Sequence, residues 1–132
     1  MTQNEKDLLL KDLCARLPYN IKVYDNNGNF NTSYVNLLHI NGKVSEAFVG
    51  NGMQCRTAPI DEIRPYLFPL SSMTEEQKRE FDISMDMGYA TAYNAEINCA
   101  NRMIDFFNKY HLDYRGLIPM GLAIDATGLN IY

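Results

Sequence analysis

The sequence predicts an α+β fold: an N-terminal helix, a small antiparallel meander of three or four strands, curled or barrel-like, and two or three C-terminal helices packing on it. Three observations carry this reading. Leucines at three- and four-residue spacing open the chain, Asn- and Gly-rich turns separate short β-type runs up to Thr57, and capping signals followed by a long aromatic stripe occupy the back half. The two halves meet at Ile60 to Phe81, IDEIRPYLFPLSSMTEEQKREF. There Pro65 and Pro69 fix their own φ and push Arg64 and Phe68 out of the helical region, so the segment is expected to be extended, exposed and poor at sheet pairing. The organisation is then a single domain: helix and meander over 1–59, a proline-framed connector over 60–74, and a helical part with a C-terminal loop over 75–132.

The first helix is expected from about Glu5 to Arg16, capped by Thr2 or Asn4 and ended by Pro18. Leu9, Leu10, Leu13, Cys14 and Leu17 form its apolar stripe, with Glu5, Lys6, Lys11, Asp12 and Arg16 on the other side. From Tyr19 the period changes. Ile21 and Val23 alternate with Lys22 and Tyr24, Asp25 to Asn29 form a turn-rich loop, and a second strand follows between Phe30 and Ile40. Asn41-Gly42 fits a type I′ hairpin turn into a strand from Lys43 to Val49, Gly50-Asn51-Gly52 is another turn, and Met53 to Thr57 supplies a fourth strand. In the back half, Ser72 with Glu75 or Thr74 with Gln77 offers a capping box. The helix that follows is expected to break at Asp86-Met87-Gly88, and a longer one to run from Tyr89 to Tyr110.

Composition excludes several classes of function. With 132 residues, 46% apolar and 21% charged, the chain suits one folded domain. A net charge of −4 without clustered Lys and Arg argues against nucleic acid as a partner. The opening MTQNEKDLLLKDLC has neither the basic flank nor the apolar length of a signal peptide, and no stretch approaches the roughly 20 apolar residues of a membrane span. A cytoplasmic protein without membrane contact is expected. Cys14, Cys55 and Cys99 are too far apart for a disulfide framework or paired zinc ligands and read as buried thiols. Gly50-Asn51-Gly52 lacks the remaining elements of a phosphate loop, and Asp25 to Asn29 places its glycine wrongly for a calcium loop. No cofactor or metal is expected.

Two sets of residues are candidates for function. Tyr89, Tyr93, Ile97, Met103, Phe106, Phe107 and Tyr110 make a stripe wide enough for a protein partner or a second copy, because Tyr, Met and Phe are enriched at interface cores. Arg64, Tyr66, His111, Asp113, Tyr114 and Arg115 could instead hold a small anion such as a nucleotide, with Arg115 on the charge and Tyr114 as a stacking surface. The competing account of this second set is an internal tie between a loop and a helix end, and it is the stronger of the two. No catalytic constellation is evident: His39 lies in an expected strand and His111 at a helix end, where a cation would suit the dipole.

Asp12-Leu13-Cys14-Ala15-Arg16-Leu17-Pro18-Tyr19, Ile63-Arg64-Pro65-Tyr66-Leu67 with Ser71-Ser72-Met73-Thr74, and Asp113-Tyr114-Arg115-Gly116-Leu117-Ile118 with Met120-Gly121-Leu122-Ala123 resemble an uncharacterised family of small proteins from gut bacteria and their phages. The resemblance covers both ends and the centre of the chain. It implies a phage or prophage accessory protein and nothing about mechanism. The leading expectation is a protein-interaction or self-assembly module, with a small-ligand binder as the alternative and an enzyme least favoured.

Overall fold

The computed structural model describes residues 1–26, 33–41, 44–50, 55–90 and 93–132, with backbone alone over 33–41 and 44–48 and at 55. The architecture is α+β. Helix α1 spans Gln3–Arg16, strands β1 to β5 span Lys22–Asp25, Ser33–Asn41, Val44–Gly50, Cys55–Pro59 and Ile63–Leu67, helices α2 and α3 span Glu75–Ala90 and Ala95–Lys109, and β6 is Ile124–Asp125. The sheet order is β4-β3-β2-β1-β5-β6, antiparallel from β4 to β5, with β6 parallel to β5. The expected turns at Asn27 to Asn29, Gly42 and Asn51-Gly52 lie outside the described residues.

Helix α1 starts where its chemistry directs. Thr2 Oγ1 accepts from the Glu5 amide and the Thr2 amide donates to Glu5 Oε2 at 2.6 Å, a reciprocal capping box. Its buried face is rotated from the one expected. Leu9, Asp12, Leu13 and Arg16 are buried and Cys14 is exposed, so an ion pair occupies half of the i, i+3, i+4, i+7 stripe. Leu9 and Leu13 pack with Ile21, Val23, Val49, Ala58, Ile63 and Leu67 from the sheet and with Leu117, Leu122 and Ala123 from the C-terminal loop. The sheet curls around them. Arg56 on β4 donates through Nε to Asp25 on β1 at 2.7 Å although β3 and β2 lie between. On a flat sheet those strands would be roughly 14 Å apart, farther than an arginine reaches.

The proline-framed segment corrects an expectation. Ile63–Leu67 pairs with both β1 and β6, and Pro65, Tyr66 and Leu67 are buried rather than exposed. The physical reason is parity. Asn26 N–H bonds Glu62 C=O on the β1 side and Ala126 N–H bonds Leu67 C=O on the other, so the alternation points Pro65 toward β6. The paired residues of β6 begin opposite Tyr66, and the missing Pro65 N–H therefore costs no ladder bond.

At the start of α2 the second capping option is used. Thr74 N–H donates to Gln77 Oε1 at 2.9 Å and Gln77 N–H to Thr74 Oγ1 at 3.1 Å, while Ser72 Oγ donates to Pro69 C=O instead. Gly88 does not break the helix. It lies inside α2 at the crossing with α3, where a Cβ would stand 2.7 Å from Cys99 Sγ, and the helix expected over Tyr89 to Tyr110 is instead α3 alone, from Ala95. Phe81 of α2 stacks on Phe107 and meets Phe106 edge-on, which holds the pair together at its other end. Gly88→Ala is accordingly expected to destabilise by about 1–3 kcal/mol through overpacking, despite alanine's better helix propensity. Combining it with Cys99→Ala should recover part of the loss, as read in thermal melts of the single and double variants.

Candidate functional site

The sequence after α3 is built around Asp113. Its carboxylate accepts the Leu117 amide at 2.8 Å and the Ile118 amide at 2.9 Å, closing a loop that Gly116 turns at φ +71°. Leu117 is thereby delivered into the core. Tyr114 stacks on Phe107 with ring centroids 5.5 Å apart, and the Arg16 and Arg115 guanidinium carbons lie 5.2 and 4.9 Å from its ring centroid.

Beneath this loop is a buried charge cluster. Asp12 and Arg16, both 0% exposed, pair through two hydrogen bonds of 2.7 and 3.1 Å, and Arg16 Nη2 also donates to Leu112 C=O at 2.8 Å. Arg115 approaches the same carboxylate, Nε to Asp12 Oδ1 at 3.3 Å, as a charge contact without hydrogen-bond alignment. Arg16 Nη1 and His111 Nδ1 have no hydrogen-bond partner among the described residues. Asp12 thus serves two cations, one fully buried and one reached by solvent.

His111 sits on the flank of the cluster in a left-handed conformation, φ +55°. Its ring stacks on Tyr132 at 3.8 Å, and the Tyr132 hydroxyl accepts from Lys22 N–H at 3.1 Å and donates to Tyr66 C=O at 2.9 Å. One phenol therefore continues the β1–β5 ladder past its last residue pair. Burial, followed by the charges of Arg16 and Lys22, lowers the His111 pKa to about 4. A cation suited to the helix dipole is therefore disfavoured at neutral pH: burial first, then the charges of Arg16 and Lys22, favour the uncharged ring.

Of the residues proposed for an anion, His111, Asp113, Tyr114 and Arg115 gather here and Arg64 and Tyr66 do not. Arg64 bonds the carbonyls of Gly121, Asp61 and Ile63, and Tyr66 is buried in β5. Asp12 and Arg16 were missed because charges four apart on a helix read as a solvated face. Of the interface stripe, Phe106 is buried, Met103, Phe107 and Tyr110 are half-buried inside the hairpin, and Tyr89, Tyr93 and Ile97 are 66%, 83% and 59% exposed. Tyr110 donates to Glu80, which Lys109 also holds at 2.8 Å. His39 pairs with Glu46 in the β2–β3 ladder; its side chain is outside the described residues.

Among the described residues no group of three His, Cys, Asp or Glu could hold a metal, and no helix is long and apolar enough to cross a membrane. No family model matches the chain, and neither does any curated protein or solved structure.

The buried pair has a measurable consequence. Asp12→Asn leaves a buried guanidinium facing a neutral amide and is expected to cost about 3–5 kcal/mol in urea denaturation, whereas Arg115→Ala, at the solvent side, should cost about 1 kcal/mol. His111 adds a pH dependence. Its folded pKa lies below the unfolded value, so the native state binds fewer protons, and stability is lost as pH falls from about 6.5 to about 4. Over that window the loss is at most about 3 kcal/mol. His111→Asn, which tolerates the left-handed φ, should remove this part of the acid sensitivity when denaturation curves at the two pH values are compared with wild type.

Proposed function

We infer that this chain is a protein-interaction module that assembles with a second copy through the distal end of the α2–α3 hairpin. The observation that carries the reading is the exposure of large apolar side chains toward that end, Met87 55%, Tyr89 66%, Tyr93 83% and Ile97 59%, with Ile83 61% exposed further back along α2. A monomer gains nothing by leaving such large side chains this exposed, and extensive apolar exposure is a common mark of a contact surface. Together they offer on the order of 500 Å², short of the roughly 800 Å² that each partner contributes to a standard interface. The assembly is therefore weak and concentration-dependent rather than obligate. That the chain is an accessory protein of the phage or prophage kind rests on the resemblance alone, carried by Asp12 to Tyr19, Ile63 to Leu67 with Ser71 to Thr74, and Asp113 to Ile118 with Met120 to Ala123.

The anion-binding alternative is favoured by one observation, the unspent Arg16 Nη1 beside Arg115. It is the weaker reading, because Asp12 and the Tyr114 ring already occupy both guanidiniums. Light scattering on size-exclusion fractions tests the assembly. The expected mass is 15.1 kDa when dilute and approaches twice that on concentration, with the rise abolished in Tyr93→Ser/Ile97→Ser. A mass unchanged at every concentration would sink the reading.

A further inference from the structure

Where the start of α2 meets the end of α3, the surface opens into a cavity of about 200 Å³ lined by Phe68, Ser72, Thr74, Gln77, Tyr110 and Leu112. Its inner wall is preformed. Phe68 and Leu112 belong to neighbouring extended segments, tied by Phe68 N–H to His111 C=O and Asp113 N–H to Phe68 C=O, both 2.8 Å, and Leu112 is 1% exposed. The third apolar surface is the Tyr110 ring, fixed by the bond from its hydroxyl to Glu80.

The polar inventory of the rim restricts what can enter. Ser72 Oγ has given its proton to Pro69 C=O, Tyr110 has given its proton to Glu80, and Gln77 Oε1 has taken the Thr74 amide. What the rim can still offer is the Gln77 side-chain NH2 and the Thr74 hydroxyl proton, since Thr74 Oγ1 only accepts the Gln77 amide, with hydroxyl lone pairs beside them. None of the six lining residues carries a charge. Glu75 and Glu80 nearby are paired with Lys78 and Lys109, so neither an anion nor a cation finds a counter-charge where it is desolvated.

We propose that this cavity binds a small neutral aromatic molecule of one or two rings, packed against Phe68, Tyr110 and Leu112, with any hydrogen-bond acceptor it carries placed on the Gln77 amide. Size selects the ring number: a cavity of roughly 150 Å³ admits benzene, whereas sites for drug-sized ligands begin near 300 Å³. Aromatic walls select the ring type, since ring pairs add attraction beyond their buried area, and a rigid ring loses little freedom on binding. The site is separate from the distal hairpin end, and its occupancy does not depend on self-assembly.

The test is a nitrogen-15 NMR titration of the whole chain with phenol, indole, toluene and benzoate, in wild type, Ser72→Phe and Gln77→Leu. Phenol and indole are expected to give saturable shifts at Phe68, Gln77 and Leu112, with benzoate at least tenfold weaker. Ser72→Phe places a ring in the mouth and should weaken indole at least tenfold. Gln77→Leu should weaken phenol several-fold and leave toluene unchanged, and the amide spectra report that both variants remain folded. No saturable shift up to millimolar ligand, shifts away from the cavity, equal binding of benzoate, or indole binding unaltered in folded Ser72→Phe each overturns the proposal.

Discussion

The buried pair of Asp12 and Arg16 is the constraint on which the arrangement of elements depends. Both side chains are fully removed from water, and taking ions out of water costs more than a single contact returns. The cost is offset in part by further hydrogen bonds and charges, although Arg16 Nη1 has no partner among the described residues. Arg16 Nη2 reaches Leu112 C=O, Leu112 is in the segment that bridges to Phe68, and Phe68 continues β5. Arg115 brings a second positive charge to Asp12 from the loop that Asp113 closes. One carboxylate on α1 thus fixes the helix relative to the end of α3, the C-terminal loop and the sheet. An apolar residue at either position could fill the space but could not specify that register.

A second ion cluster acts on the sheet in the same manner. Asp25, 1% exposed, draws Arg56 across two intervening strands, and Glu62 holds the same guanidinium at 3.3 Å. Curling brings Val49 and Ala58 toward Leu9 and Leu13, which a flat four-stranded meander could not bury with one short helix. Pro65 is compatible with an interior strand only because its nitrogen faces the level where β6 has not begun. Local proline chemistry was therefore read correctly as extended backbone and incorrectly as an end to pairing.

The elements legible in the sequence are those whose determinants are local: the Thr2 and Thr74 caps, the leucine spacing of α1, the meander, and the aromatic content of the back half. The features that escaped depend on partners distant in sequence. Asp12 and Arg16 form an ordinary i, i+4 pair until a loop about one hundred residues later covers them, and nothing near them signals burial. Gly88 reads as a breaker in isolation, yet its missing side chain is what lets Cys99 approach. The role of Tyr132 in extending the β1–β5 ladder has no local signature at all. Of the candidate anion site, the contiguous His111 to Arg115 part was legible, and its function as an internal tie follows from Asp12 and Arg16, which were not.

These contacts divide the molecule energetically. Among the described residues the hydrophobic core draws on α1, the sheet and the C-terminal loop, with no member from α2 or α3. The helical hairpin holds itself together through Phe81, Phe106 and Phe107 and joins the rest near Tyr114, Leu112 and the Tyr19–Asp105 contact. Its distal end, beyond the Gly88–Cys99 crossing, supplies no member of that core while displaying large apolar side chains. Substitution of an exposed side chain there removes no member of that core, whereas a change at Asp12 breaks a fully buried ion pair. A chain built in this way can change its exposed hairpin residues without altering the core that sets its fold.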